Sequence, residues 1–362
     1  MKKSSRSERS AEWKPRPAIT VGLDLGDRFS HYCILNQDGE VMEEGRIPTH
    51  ARALRQHFEA EARQRIAMEC GTHSPWISRL LRQWGHQVLV ANARKLRAIS
   101  ENESKNDRAD AEMLARLAYS DPHLLSPIQH RSVERQCDLN LIHMRDALVR
   151  ARTLLVNAVR GVVKSAGGRL PKCATASFAV QAGPALPDEL RKATLPLLEQ
   201  ITALSGQIRR MDRQIEKLAQ RYPEIAVLRT APGVGPVVAA AYVLTLDRPD
   251  AVHGSRAAGA FLGLRPQRSQ SGDSDPQHRI TKTGNIYLRR LLVQAAHYIL
   301  GRFGPDSALR RWGLKLAASG GQRGKKRAIV AVARKLAVIL HCMWRTGQSY
   351  QAFPEQPPAA AA

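Results

Sequence analysis

The stretch that decides the fold reads ITVGLDL over Ile19–Leu25 and, after a Gly-Asp turn, HYCILN over His31–Asn36. Both segments are short and apolar and are bounded by turn residues, which predicts two strands of a β-hairpin. Val41–Ile47 continues the pattern as a third strand, and a helical pattern at 51–61 precedes a fourth strand at Arg65–Glu69. We therefore expect an antiparallel meander that leads into alternating helices and strands.

The next segments complete this element order. Residues 74–84 have a helical pattern, and Gln87–Ala91 (QVLVA) is a further short apolar strand. Three strands in a meander, then helix, strand, helix and strand, is the order of the ribonuclease H fold. We predict an α/β ribonuclease-H-like domain over 18–130, preceded by a disordered basic tail over 1–17.

Two long heptad patterns follow this domain and predict an α-helical coiled-coil domain over 131–222. The apolar positions of the first are Leu141, Met144, Leu148, Ala151, Leu155, Ala158 and Val162, and those of the second are Leu197, Ile201, Leu204, Ile208, Met211, Ile215 and Leu218. The basic residues of the first helix, Arg152 among them, fall outside this seam. Residues 165–190 are predicted to be a loop or an insertion. An antiparallel hairpin and a dimer seam both remain open.

The last part of the chain, 223–350, is predicted to be a mainly α-helical domain. Helical patterns occupy the two sides of the turn in LRTAPGVGPVVAAAYVLTL (Leu228–Leu246), as well as 255–264, 284–302 and 326–345. A polar loop at 265–280 separates two of them. The low-complexity end, 351–362, is predicted to be a disordered tail.

The charge of the chain points to a polyanionic partner. Lys and Arg number 56 against 32 Asp and Glu, a net charge of +24, which favours nucleic acid over an anionic membrane surface or a ribosomal role. The basic start lacks the apolar run of a signal peptide, and no segment is long enough to span a membrane. The five scattered cysteines suit reduced thiols in a cytoplasm. Cys70 and His73 have no second ligand pair, which argues against zinc.

Four carboxylates are the candidate chemical centre. Asp24 and Glu69 lie on predicted buried strands, where an acid is costly unless it is paired or binds metal. Asp107 and Asp110 share one face at the start of a predicted helix, a position where acids also occur without any function. Together the four predict a site for divalent cations, with two Mg²⁺ ions expected and Mn²⁺ as an alternative.

One rival interpretation shares the first strand. VGLDLG before a hairpin also resembles the first phosphate motif of actin-like ATPases and sugar kinases. The remainder of the chain shows no later Gly-rich adenosine motif and no Walker-type loop, and its charge is far too positive for a typical sugar kinase.

The motifs together resemble the DEDD-type insertion-sequence transposases, which carry a RuvC-like domain, a coiled coil and a C-terminal transposase domain. LRTAPGVGPVVAAAYVLTL, then GAFLGLRPQRSQSG, then ITKTGNIYLRRLLVQAA, is similar to the family pattern over roughly 18–345. The resemblance implies that Asp24, Glu69, Asp107 and Asp110 bind the metal. It also implies that Ser271 is a nucleophile that forms a covalent phosphoserine link to DNA. Ser269 is the alternative, because Gln270 separates two serines that are adjacent in many relatives.

The same resemblance implies the partners. These are donor and target DNA and a structured non-coding guide RNA. A homodimer would form a tetramer during strand exchange, with the acids of one protomer meeting the serine domain of another. The setting would be the bacterial cytoplasm, at the nucleoid during reaction.

Five residues are candidate nucleic-acid contacts. Gly233 and Gly235 resemble the turn of a helix-hairpin-helix, which holds phosphate through backbone N–H groups, although a tight turn between packed helices fits equally. Lys282, Arg289 and Arg290 follow the serine loop and suit phosphate contacts or a solvated surface. Two other functions stay open: a RuvC-like junction endonuclease, which needs the acids but not Ser271, and a non-catalytic nucleic-acid-binding protein, which needs neither.

Overall fold

The computed structural model describes residues 18–93, 106–270, 274, 276, 278–319 and 321–354. The predicted tail at 1–17, the end of the second tail at 355–362 and Ser271 lie outside these residues. The chain packs as two units, Met1–Arg131 and Ser132–Ala362.

The first unit is built on a mixed five-stranded sheet. Its strands follow the predicted positions closely: β1 (Thr20–Asp24), β2 (Phe29–Leu35), β3 (Val41–Pro48), β4 (Arg65–Glu69) and β5 (Gln87–Ala91). The spatial order is β3-β2-β1-β4-β5. The β1–β2 and β2–β3 pairs are antiparallel, whereas β1–β4 and β4–β5 are parallel. This is the ribonuclease-H-like architecture expected from the sequence.

Helices cover both faces of the sheet. Helices α1 (Ala51–Phe58) and α2 (Ser74–Gln83) pack on one face through a core that includes Leu54 and Ile77. Helix α3 (Asp107–Ser120) packs on the other face, where its alanines meet β1 and β2. Because both faces are buried at the centre of the sheet, β1, β4 and β5 read as nearly continuous apolar segments, whereas the edge strand β3 is largely exposed.

The second unit begins with an antiparallel helical hairpin. Helix α4 (Val133–Ser165) packs along α6 (Asp188–Arg221), with Glu134 paired to Arg221 and Arg145 paired to Asp212 further along. The coiled coil left open between hairpin and dimer is therefore a hairpin within one chain. Between the helices, α5 (Phe178–Ala182) and a short 3-10 helix close the tip over Val159 and Ile201.

The predicted seam of α4 is wrong by about one position. The apolar residues buried on α4 are Leu139, Ile142, Val156, Val159 and Val163, whereas the predicted Met144 and Val162 are 56% and 42% exposed. The reason is Arg152, which was predicted to lie outside the seam. In the structure this residue is buried, with only 9% of its surface exposed. Its Nη1 donates to Ser205 Oγ of α6 at 3.2 Å, so a hydrogen-bonded cation occupies a position that an apolar pattern excludes.

A body of shorter helices completes this unit and shares one core with the base of the hairpin. The helices are α7 (Pro223–Leu228), α8 (Pro236–Leu246), α9 (Ser255–Phe261), α10 (Ile286–Leu300), α11 (Ala308–Ala318) and α12 (Gly321–Thr346). Helix α11 has no counterpart among the sequence predictions. In the part of the chain that is described, no helix is long and apolar enough to cross a membrane.

Candidate metal centre

Side-chain alternation brings three strand residues to one face of the sheet. Gly22 of β1 is covered by α3, and Cys33 of β2 and Ala67 of β4 belong to clusters packed on that helix. Successive strand residues point to opposite faces, so the residues two positions from these also face α3. These residues are Asp24, His31 and Glu69. Because β1 and β4 are parallel, Asp24 and Glu69 end their strands at the same edge.

The approach of α3 to β1 depends on Gly22. A Cβ atom on Gly22 would lie 1.9 Å from the carbonyl oxygen of Ala111 and 2.5 Å from the amide nitrogen of Ala115. The first turn of α3 holds Asp107 and Asp110, and Asn106 caps it by accepting from the N–H of Arg108. The close contact therefore sets both acids beside the end of β1.

The tightest group in the described residues joins two predicted acids to a histidine. Asp24, His31 and Asp107 each offer a ligand atom, and these atoms all lie within 4.8 Å of one another. His31 Nδ1 is 3.7 Å from Asp107 Oδ2. Glu69 and Asp110 do not belong to this tight group, although both act on Asp24 electrostatically.

The electrostatics of Asp24 show that the four acids converge. Burial, followed by the negative charges of Asp107, Asp110 and Glu69 in that order, raises the pKa of Asp24 to about 6, while His31 opposes the shift. Carboxylates gathered in this way repel one another unless a cation neutralises them. Oxygen ligands suit Mg²⁺, and an added imidazole also suits transition metals such as Mn²⁺. The residues present therefore fit a divalent cation.

His31 was not among the sequence candidates. It is directly opposite Asp24 in the antiparallel β1–β2 register, a pairing that only the register reveals. The signal available in the sequence was a polar residue at the start of an otherwise apolar strand, which is also typical of a strand end facing solvent.

The two ends of the serine loop, defined as residues 265–280, lie side by side. Its ends are joined by the Pro266–Ile280 bridge and by the N–H of Gln267 donating to the carbonyl of Arg279 at 2.9 Å. Ser269 is exposed. Ser271, the predicted nucleophile, lies outside the described residues, so its assignment stays a prediction.

The Pro-Gly-Val-Gly-Pro turn is built against α10. Gly233 has φ of +75°, and a Cβ there would be 2.9 Å from the carbonyl oxygen of Ala295. Gly235 precedes the first turn of α8 and has open space around it. A cavity of about 500 Å³ lies between this turn and α10, with Arg229 and Tyr298 among its lining residues. Close packing against α10 thus accounts for a glycine at position 233. Phosphate binding at Gly233 and Gly235 stays a prediction.

The three basic candidates after the serine loop differ in their surroundings. Arg289 Nη1 donates to the carbonyls of Leu262 at 2.9 Å and Thr283 at 3.0 Å. Arg290 is paired with Asp146 of α4. Lys282 is exposed and has φ of +54°. Lys282 is thus the most accessible of the three to a phosphate.

Comparisons with known proteins find two matching family models and several related chains. One family model, described as a transposase, matches residues 21–167, and a second, described as the transposase IS116/IS110/IS902 family, matches 225–311. The Sinorhizobium fredii protein y4pF/y4sB, whose name describes a transposase, is 30% identical over 83% of this chain and 78% of its own length. The transposase for insertion sequence element IS1111A of Coxiella burnetii is 26% identical over 91% of both chains. The transposase for IS1328 of Yersinia enterocolitica is 28% identical over 82% of this chain and 89% of its own.

Proposed function

The chain belongs to the IS116/IS110/IS902 family of transposases, and on that premise we propose that it cuts and rejoins DNA with a serine nucleophile beside a divalent-metal site. The observation that supports the proposal is the group formed by Asp24, His31 and Asp107, whose ligand atoms all lie within 4.8 Å of one another. Family membership favours this function over a junction endonuclease and over a non-catalytic nucleic-acid-binding protein.

The proposed chemistry conserves bonds. The Oγ of Ser271 forms a bond to phosphorus while one P–O bond to the adjoining deoxyribose breaks. The hydroxyl proton passes to a base, and the departing oxygen takes up a proton. The number of phosphoester bonds is unchanged, so the reverse attack by a DNA hydroxyl rejoins the strand without an external energy source. A serine hydroxyl needs activation for this attack. Divalent cations, when bound, supply polarisation of the scissile phosphate.

Asp24, Glu69, Asp107 and Asp110 are proposed to hold these cations, Mg²⁺ in the first place, and His31 is added to them by the geometry. The carboxylates would hold the cation in place, and the backbone of the parallel strands β1 and β4 keeps two of them at one edge of the sheet. We expect Asp24→Ala to abolish strand cleavage while the protein still binds DNA, measured by cleavage and gel-shift assays on the same preparation.

The serine assignment is tested by trapping the covalent intermediate. A suicide substrate that releases a short strand after cleavage should accumulate a protease-resistant DNA–protein adduct, and mass spectrometry should map it to Ser271. Ser271→Ala should form no adduct, whereas the matched Ser269→Ala should still form it. An adduct on Ser269, or recombination by Ser271→Ala, would contradict the assignment.

A structured non-coding RNA is proposed to direct the enzyme to donor and target DNA. The net charge of +24 suits binding of both nucleic acids, and the family resemblance adds the guide. Recombination by the purified protein should be lost after ribonuclease treatment and regained when RNA recovered from the untreated protein is added back. Equal recombination without any RNA would refute this part of the proposal.

A further inference from the structure

A groove lies beside the serine loop, between the closing bridge of that loop and helix α12. Its volume of about 660 Å³ falls within the range of roughly 300–1,000 Å³ typical of small-molecule sites. The floor is apolar and is formed by Leu264, Trp312, Val330 and Val338. We call this feature the α12 groove.

The rim of the α12 groove is basic. It is formed by Arg279 at the end of the serine loop and by Lys326, Arg327 and Arg334 of α12. The lining contains no acidic residue, and α12 as a whole carries seven Lys and Arg residues and no Asp or Glu. Within the described ranges, no carboxylate comes into ion-pair distance of these four rim cations. The rim is therefore available to an anionic ligand.

An apolar floor beside a basic rim fits one class of polymer well. A nucleic-acid strand carries its phosphates on one side and flat apolar bases on the other, so both surfaces can be matched at once. Duplex DNA keeps its bases stacked inside and would reach only the rim. Trp312 is half-buried in the floor, with Lys335 Nζ 4.5 Å above its ring centroid. An aromatic ring beside cations is the usual surface on which single-stranded bases stack.

We propose that the α12 groove binds an unpaired segment of a DNA strand next to the serine loop, with bases on the floor and phosphates on the rim. The inference rests on the proposed function, because the serine chemistry is what brings a DNA strand to this loop. The Pro266–Ile280 bridge and Arg279 join the loop to the groove directly.

The rim is tested by the salt dependence of binding to a fluorescein-labelled single-stranded oligodeoxynucleotide, measured by anisotropy with the full-length protein. Arg279→Gln/Arg334→Gln should reduce the slope of log K against log salt by about 1.4, which is about 0.7 for each phosphate contact. Near physiological salt, the same loss corresponds to about tenfold weaker binding. The matched variant Arg323→Gln/Lys325→Gln removes two exposed charges from α12 outside the groove and should keep the wild-type slope. Equal losses in the two variants would overturn the proposal.

The floor is tested by the preference for single strands. Val330→Asn should weaken binding of the single strand about fivefold or more, since the polar amide removes apolar surface on which a base would pack, and should leave duplex affinity and the salt slope unchanged. In parallel, a strand containing 5-iododeoxyuridine should crosslink on irradiation to peptides that contain Trp312 or residues 278–280. Crosslinks elsewhere only, an equal loss for duplex, or a larger loss for an RNA strand of the same sequence would each refute the assignment.

The two proposals can fail independently. Ser271→Ala should bind the single strand like the wild type, because the groove does not include that residue. If no adduct forms while the rim and floor variants behave as expected, the serine chemistry is wrong and the groove stands. If the adduct forms on Ser271 while these variants bind normally, the groove assignment is wrong and the proposed function stands.

Discussion

Asp24 carries the strongest electrostatic signature of the candidate metal centre. Its pKa rises to about 6 from an ordinary value of 3.8, because burial and three neighbouring carboxylates disfavour its charge. A folded-state pKa above the unfolded value means that the contribution to stability is present at low pH and is lost as pH rises through about 6. At neutral pH the folded, metal-free protein is thus destabilised by repulsion among the same acids that would bind a cation.

Asp24→Asn should therefore stabilise the metal-free protein at pH 8, by up to about 2 kcal/mol after allowance for solvent screening. The gain should shrink between pH 6 and 4 and vanish below, since Asp24 is then protonated in both states. Thermal unfolding in a chelator across this pH range measures it. Added Mg²⁺ should raise the Tm of the wild type more than that of the variant. A variant less stable than the wild type at pH 8 in the chelator would show that the acids do not repel.

Asp24 and Glu69 became candidates because carboxylates on apolar strands are unusual enough to be noticed singly. Asp107 and Asp110, in a first helical turn, became candidates only in combination with these two. His31 was not predicted as a site residue, because only the β1–β2 register places it opposite Asp24. A register depends on how two segments align in space, and a single strand pattern does not contain that alignment. The sequence pattern also does not distinguish Ser269 from Ser271, because both are nearby hydroxyls of one loop. Only the site of the covalent adduct distinguishes them.

At the scale of elements, the contact between α3 and β1 determines whether the acids meet. Gly22→Ala should push α3 away from the sheet, because the new Cβ would overlap the backbone at Ala111 and Ala115. We expect a loss of about 1–3 kcal/mol or more, measured by urea unfolding, together with loss of stabilisation by Mg²⁺. Gly71→Ala is the control, since a Cβ at Gly71 meets nothing within 4 Å. Similar losses in both variants would argue against a special role for Gly22.

The helical hairpin contains a testable buried cation. Arg152 bonds to Ser205, and among the described residues its Nε has no hydrogen-bond partner. Ser205→Ala should destabilise the protein by about 1–3 kcal/mol, because it leaves a buried charge without its acceptor. Arg152→Met should be neutral or stabilising, and adding it to Ser205→Ala should recover the loss, as followed by chemical unfolding. A double variant no more stable than Ser205→Ala would contradict this account.

The elements themselves were predictable to different degrees. The five strands matched their predicted positions closely, because turn residues bound them and apolar runs fill all but the exposed edge strand β3. The buried stripe of α4 was displaced, because the pattern treats Arg152 as outward-facing while the long side chain reaches a partner inside. Helix α11 was missed although Ser307 caps it by accepting from the N–H of Arg310. A single capping serine in a polar stretch is too common a signal to identify a helix.

At the scale of the whole molecule, the acids and the serine loop belong to different packing units, Met1–Arg131 and Ser132–Ala362. We propose that different copies of the chain supply them, within a homodimer that becomes a tetramer during strand exchange. We also propose that the hairpin (131–222) and the C-terminal part (223–350) act as separate functional segments. Light scattering of the protein with and without DNA measures the assembly state.

Mixing two inactive variants tests the shared site. Asp24→Ala and Ser271→Ala should each fail to recombine DNA alone, and a mixture of the two should regain part of the wild-type rate, because an intact acid cluster can then meet an intact serine loop. The readout is recombinant product by gel, with a mixture of Asp24→Ala and Asp107→Ala as the control that should stay inactive. If the first mixture is as inactive as the second, each active site is built within one chain.

The close packing of α3 on Gly22 also determines when the acid cluster can form during synthesis. Asp24 and Glu69 are translated well before Asp107 and Asp110, and domains generally fold from the N-terminal end during synthesis. A growing chain therefore has no complete acid cluster until α3 has left the ribosome and settled on the sheet. The serine loop is translated still later, so under the proposed mechanism a chain that ends before this loop would cut DNA only where a complete copy supplied it.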